Sequence, residues 1–156
     1  MDWLQPLSET ALARALILSP TLYLLVNAAH IMAIGVLFGT ILSLDLRILG
    51  MFRTVPLHSL APFLSRMAAC GAVLAILTGM SLFTVRPQEY VQNPAFLTKV
   101  TLVAVGLVHA LAVHRSAGWR AALAGEGASA LLRLSALVSI AIWTSAVVAG
   151  RWIGFL

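Results

Sequence analysis

Four stretches of this chain are apolar for longer than a buried soluble helix requires. They run from about Thr21 to Leu44, Ala61 to Val85, Ala95 to Val113 and Ala130 to Ile153. A helix rises ~1.5 Å per residue, so roughly 20 residues cross the ~30 Å hydrocarbon layer of a bilayer. Each stretch therefore predicts a membrane-spanning helix. The breaks between them carry turn chemistry: Gly50 and Pro56 in the first, Pro87 and Pro94 in the second, and Gly118, Gly125 and Gly127 in the third. The first twenty residues follow a different rhythm. Leu4, Leu7, Ala11, Ala15 and Leu18 recur at helical spacing, while Gln5, Glu9 and Arg14 are polar. Asp2 and Gln5 stand at capping-box spacing, and Pro20 breaks the pattern before the first span. This segment predicts a short amphipathic helix over 1–20 lying on the membrane surface. Its acidic start is unlike that of a secretory signal peptide. The fold class expected is all-α: an integral membrane four-helix bundle with an interfacial N-terminal helix, one membrane domain over residues 1–156.

Composition reinforces this reading. The chain is 61% hydrophobic and only 10% charged, against roughly 25% charged residues in an ordinary soluble domain. A soluble globule of that composition would lack the polar surface to cover itself; a chain solvated by lipid does not need it. The net charge of +5 raises the question of nucleic acid. However, the basic residues are scattered singly with no aromatic interleaving, so the bilayer is the expected partner and nucleic acid is not. Cys70 is the sole cysteine, so no disulfide framework exists. The arginines are distributed unevenly. Arg47, Arg53, Arg66, Arg115, Arg120 and Arg133 surround the first and third connections, and only Arg14, Arg86 and Arg151 lie on the other side. The positive-inside rule then favours both termini outside the cytoplasm, with the first and third connections inside.

Away from the arginines near the span ends, which can snorkel to the headgroups, the ionisable candidates within the spans are His30, Lys99 and His109. Such groups cost several kcal/mol in hydrocarbon unless paired or hydrated, so function is the default reading. With the first span centred near Ala33 and the third near Ala104, His30 lies about 4–5 Å and Lys99 about 7–8 Å to the outer side of the midplane. They share a level within ~3 Å, whereas His109 is staggered from His30 by ~12 Å. That stagger disfavours two imidazoles on one iron unless a helix is strongly tilted; a five-coordinate haem on His30, with Lys99 near the carboxylates of the ring, tolerates it better. Asn27, one turn before His30 on the same face, is placed to orient the imidazole through its second nitrogen. Blander readings stand beside these. Lys99 can snorkel to water, and His109 can hydrogen-bond Thr78 or Thr144 as packing glue. Gly35 and Gly39 at GxxxG spacing, Gly71 and Gly79 on the second span, and Gly106 one turn before His109 read as positions of close helix packing. Asp45, Glu89 and Glu126 fall in the connections, leaving no carboxylate within a span.

Two segments carry a resemblance. "NAAHIMAIGVLFGTILSLDLRILG" resembles the first helix, and "NPAFLTKVTLVAVGLVHALAVHR" the third, of small bacterial membrane proteins of the CopD/HemJ-like group. The resemblance implies a bundle related to b-type cytochromes, with His30 and Lys99 as functional positions. The function expected is binding of b-type haem or another tetrapyrrole, in electron transfer or porphyrin oxidation. His30 would be the axial ligand or ring contact, Lys99 would neutralise a ring carboxylate, and His109 would be a second ligand or proton relay. A membrane redox partner or a second copy of the chain is the partner expected. Two other classes stay open: a cofactor-free accessory subunit of a larger membrane complex, and a small metal-ion transporter module.

Overall fold

The computed structural model describes residues 2–155, with the side chain of Asp2 left out. Its helices are α1 (Gln5–Ser8), α2 (Ala11–Leu18), α3 (Pro20–Leu49), α4 (Leu57–Phe83), α5 (Pro87–Gln92), α6 (Pro94–Arg115), α7 (Ala117–Leu123) and α8 (Ala130–Trp152). There is no strand among the described residues. Helices α3, α4, α6 and α8 are the four long and apolar enough to cross a membrane. The most apolar window of each is at most 28% buried inside the bundle. Most of each helix therefore faces outward, a surface stable only in an apolar solvent such as the bilayer.

The helix ends follow local chemistry. Ser19 caps α3 by accepting from the Leu22 N–H, and Pro20 occupies the first turn, where a missing N–H costs nothing. Gly50, in the left-handed region at φ 104°, ends that helix. Asn93 accepts from the N–H groups of Ala95 and Phe96 to start α6, again with proline behind the cap. Ser129 starts α8 in the same way. At 30 residues, α3 is about 45 Å long, so it tilts or outruns the hydrocarbon.

Two expectations change here. The first span does not stop at Leu44: α3 continues to Leu49 and carries Asp45, expected in a connection, into the helix. The N-terminal segment is not one flat helix either. It breaks between α1 and α2, where Thr10 caps α2 by accepting from the Ala13 N–H. The face it buries is Leu4, Ala13 and Leu16, while Leu18 is 82% exposed. This segment docks on α3 and α4. The Asp2–Gln5 capping box lies outside the described side chains.

The spanning helices alternate in direction. Gly79 lies against His30 and Gly71 against Leu37, so α4 runs antiparallel to α3; Gly106 lies against Trp143 and Gly150 against Lys99, so α8 runs antiparallel to α6. One end of the bundle therefore holds the start of α3, α5 and the end of α8 (the terminal end). The other holds the α3–α4 and α6–α8 connections (the loop end). α3 packs mainly on α4 and α6 mainly on α8, and the two pairs join along α3 and α8.

The close packing expected at the glycines is found at Gly71, Gly79 and Gly106 but not at Gly35 and Gly39. A methyl group at Gly35 or Gly39 would meet nothing within 4 Å. Close approach occurs instead at Gly71, whose added carbon would stand 2.7 Å from the Leu37 nitrogen. Gly39→Ala should therefore shift stability by less than about 1 kcal/mol, in the favourable direction set by helix propensity. Thermal unfolding in detergent checks this; a loss above that size would mean the face is packed after all.

Candidate functional site

His30 and Lys99 meet inside the bundle. The Lys99 Nζ lies 3.5 Å from His30 Nε2, at the long limit of a hydrogen bond. His30 Nδ1 lies 2.9 Å from Thr78 Oγ1 on α4. Thr78 in turn donates its hydroxyl proton to its own helix, 2.6 Å from the Leu74 carbonyl. A hydroxyl has one proton to give, and a carbonyl can only accept it. Nδ1 must therefore be the donor to Thr78, which assigns the Nδ1–H tautomer and leaves the lone pair on Nε2. That lone pair faces the ammonium of Lys99.

All four spanning helices build the site. An added carbon at Gly79 would stand 3.0 Å from His30 Cε1, so the ring lies flush on the α4 backbone. One at Gly150 would stand 3.3 Å from Lys99 Cδ, so the lysine stem lies along α8. On the terminal side stands an aromatic group: the rings of Phe83, Tyr90 and Phe96 have centroids 5.2–6.1 Å apart. Phe96 precedes Lys99 by less than one turn. Burial, with Tyr23 as neighbour, pushes the Tyr90 hydroxyl above its ordinary pKa. This group separates the pair from the terminal surface, and Lys99 turns inward to His30 instead of snorkelling outward.

Lys99 pairs with no carboxylate among the described residues. The ion pair formed among the described residues is Arg86 with Glu89, both well exposed, at 3.3 Å. The carboxyl carried by a spanning helix, Asp45 of α3, is 6% exposed near the loop end. Its polar neighbour is Ser139 of α8, and its Oδ2 has no hydrogen-bond partner among the described residues. His30 and Asp45 are fifteen residues apart on α3, or about 22 Å along its axis.

Other expected site residues lie elsewhere. Asn27 is exposed and makes no hydrogen bond among the described residues; the residue that orients His30 is Thr78. His109 is half-buried and also makes no hydrogen bond there. Its expected partner Thr78 serves His30, and Thr144 is exposed. His109 is ten residues beyond Lys99, about 15 Å along α6, and so cannot share a metal with His30. Among the described residues no three His, Cys, Asp or Glu side chains gather as a metal-holding group. Thr78 could have been found in the sequence by counting antiparallel levels from His30 into the second span, a step that needs the helix ends to within one turn.

The donor chemistry suits a haem iron, because Nε2 is unprotonated and its partner nitrogen is fixed. Space is the obstacle. Iron would sit about 2 Å from Nε2, taking the zinc–imidazole distance as a guide, in the region now held by the Lys99 ammonium. The two cannot be there together, so a metal at His30 requires Lys99 to turn away. No curated protein and no solved structure matches the chain. A family model does match over residues 21–156, which takes in the whole His30–Lys99 site: the chain belongs to the Family of unknown function (DUF6644).

Proposed function

We propose that the bundle is a membrane-embedded binding protein for an acidic, largely apolar small molecule, and that this molecule is a tetrapyrrole, b-type haem in particular. The observation that carries the reading is Lys99: an ammonium inside an apolar bundle, resting on an imidazole lone pair with no carboxylate paired to it among the described residues. A cation at such a depth costs several kcal/mol, and an acidic ligand offsets that cost. The resemblance of the first and third spans to CopD/HemJ-like helices supports a tetrapyrrole within that class. In this reading Lys99 swings from Nε2 to the carboxylate of the ligand. His30 is thereby freed as the axial base, Thr78 keeps the lone pair on Nε2, and Gly79 leaves the ring edge unobstructed. Bound haem iron would supply one-electron transfer or porphyrin oxidation. The arginine asymmetry supports a bacterial inner membrane with periplasmic termini.

A visible spectrum of the detergent-purified protein tests this. Protein from haem-replete cells should carry a Soret band that His30→Ala removes and Lys99→Met diminishes. A colourless preparation that also fails to take up added haemin contradicts it. The contact between Nζ and Nε2 favours one other reading, a cofactor-free accessory subunit in which the pair fastens α3 to α6. That reading predicts a colourless protein with a stoichiometric membrane partner, and a bundle that Lys99→Met destabilises.

A further inference from the structure

The loop end of the bundle contains a cleft far from the His30–Lys99 pair and independent of its function. Its volume is about 220 Å³, and it lies between the end of α3, the α3–α4 connection and the α7–α8 connection. Arg47 and His58 supply its charged and titratable side chains, Gly125 and Gly127 part of its wall, and no carboxylate lines it. The Arg47 Nε donates to the Val55 carbonyl at 2.7 Å, which pins the guanidinium to the α3–α4 connection. Its terminal nitrogens make no ion pair among the described residues. Gly125 and Gly127 have φ of 92° and 84°, conformations that favour glycine and curl the connection around the cleft. Glu126 stands between them but is exposed and outside the lining.

Size and charge select the ligand. Drug-sized ligands occupy about 300–1,000 Å³, and this cleft is smaller, equal to about seven waters of liquid volume. It suits a small polar group. A pinned guanidinium presents parallel N–H donors that match phosphate oxygens. The cleft also lies where the spanning helix α3 ends and α4 begins, on the arginine-rich side of the chain, the level at which basic residues meet anionic headgroups.

We propose that this cleft binds a phosphate group, presented either by an anionic phospholipid headgroup or as the free ion. The test is thermal unfolding of the full chain in detergent at constant ionic strength. The probes are dihexanoyl-phosphatidylglycerol, inorganic phosphate, and dioctanoylglycerol, which lacks phosphate. A phosphate ligand at a hundredfold excess over its Kd should raise Tm by about 5–10 °C. Stabilisation by the phospholipid alone identifies a headgroup site, and equal stabilisation by inorganic phosphate identifies a site for the free ion. Arg47→Gln should weaken the apparent affinity about tenfold or more. Because that change also breaks the bond to Val55, the exposed His58→Gln provides a second variant with an intact fold, and Glu126→Gln should tighten binding. The proposal is overturned if neither phosphate probe stabilises the protein, if dioctanoylglycerol does so equally, or if Arg47→Gln and His58→Gln leave the affinities unchanged.

Discussion

Gly71→Ala lowers the stability of the bundle by about 2–3 kcal/mol, at the upper end of what one inserted methyl group costs in a packed interior. The added carbon would stand 2.7 Å from the Leu37 nitrogen, 3.0 Å from its Cα and 3.1 Å from the Ala33 carbonyl oxygen. All three are backbone atoms of α3, so no rotamer change relieves the clash. The helices themselves must separate, and α3 with α4 is the most extensive contact in the bundle. In a bilayer that contact depends on close packing and not on hydrophobicity, because lipid is as apolar as the helix surface. Gly106→Ala makes a similarly short contact, 2.8 Å, but with the buried ring of Trp143, a side chain and not backbone, so one ring and not a whole helix must shift. A smaller loss, about 1 kcal/mol, is expected there. Unfolding of Gly71→Ala, Gly106→Ala and Gly39→Ala measured side by side should reproduce this order. An equal effect at all three positions would mean that α3 and α4 do not approach as closely as described.

The second large effect concerns recognition. Lys99→Met should weaken binding of an acidic tetrapyrrole by about 10²–10³-fold, corresponding to about 3–4 kcal/mol for an ion pair lost inside the bundle. The fold should survive. Methionine is unbranched and flexible enough to follow the path of the lysine stem past Gly150, and the change removes a charge that pairs with no carboxylate among the described residues. Stability should be unchanged or higher while binding fails, the usual sign of a residue kept for function against a folding cost. A drop in stability without loss of binding would make Lys99 a fastening between α3 and α6. Thr78→Val addresses the same site from the other side. It keeps the shape of the side chain but removes the acceptor that fixes Nδ1–H, so the Nε2 lone pair is no longer enforced. Binding that depends on Nε2 should weaken by about tenfold, with the ring still packed on Gly79.

Much of the fold was legible because hydrocarbon thickness sets helix length, and runs of that length are plain in the chain. Axial position was legible for the same reason. Counting along two parallel helices put His30 and Lys99 at one level, and their side chains meet. Rotation about the helix axis was not legible. A soluble helix reveals its buried face by alternating polar and apolar residues, but a span such as α6 is apolar on every side. That is why Asn27 was expected beside the imidazole when it points outward, and why Thr78 was assigned to His109 when it holds His30. It is also why Gly35 and Gly39 were grouped with Gly71, Gly79 and Gly106 as packing positions, when close approach occurs only at the last three of these five. Asp45 was missed for a different reason. A charged residue next to a run of leucines reads as the end of a span, yet α3 continues one turn further and buries the carboxyl against α8.

The account turns on whether Lys99 recognises a carboxylate, and a metal-free porphyrin isolates that from any bond to iron. Fluorescence titration of the purified protein with protoporphyrin IX and with its dimethyl ester measures it directly. The wild-type protein should bind the diacid about a hundredfold or more tighter than the diester, and Lys99→Met should bind both alike. Equal affinity of the wild-type protein for acid and ester, or an acid preference that persists in Lys99→Met, would contradict the assignment.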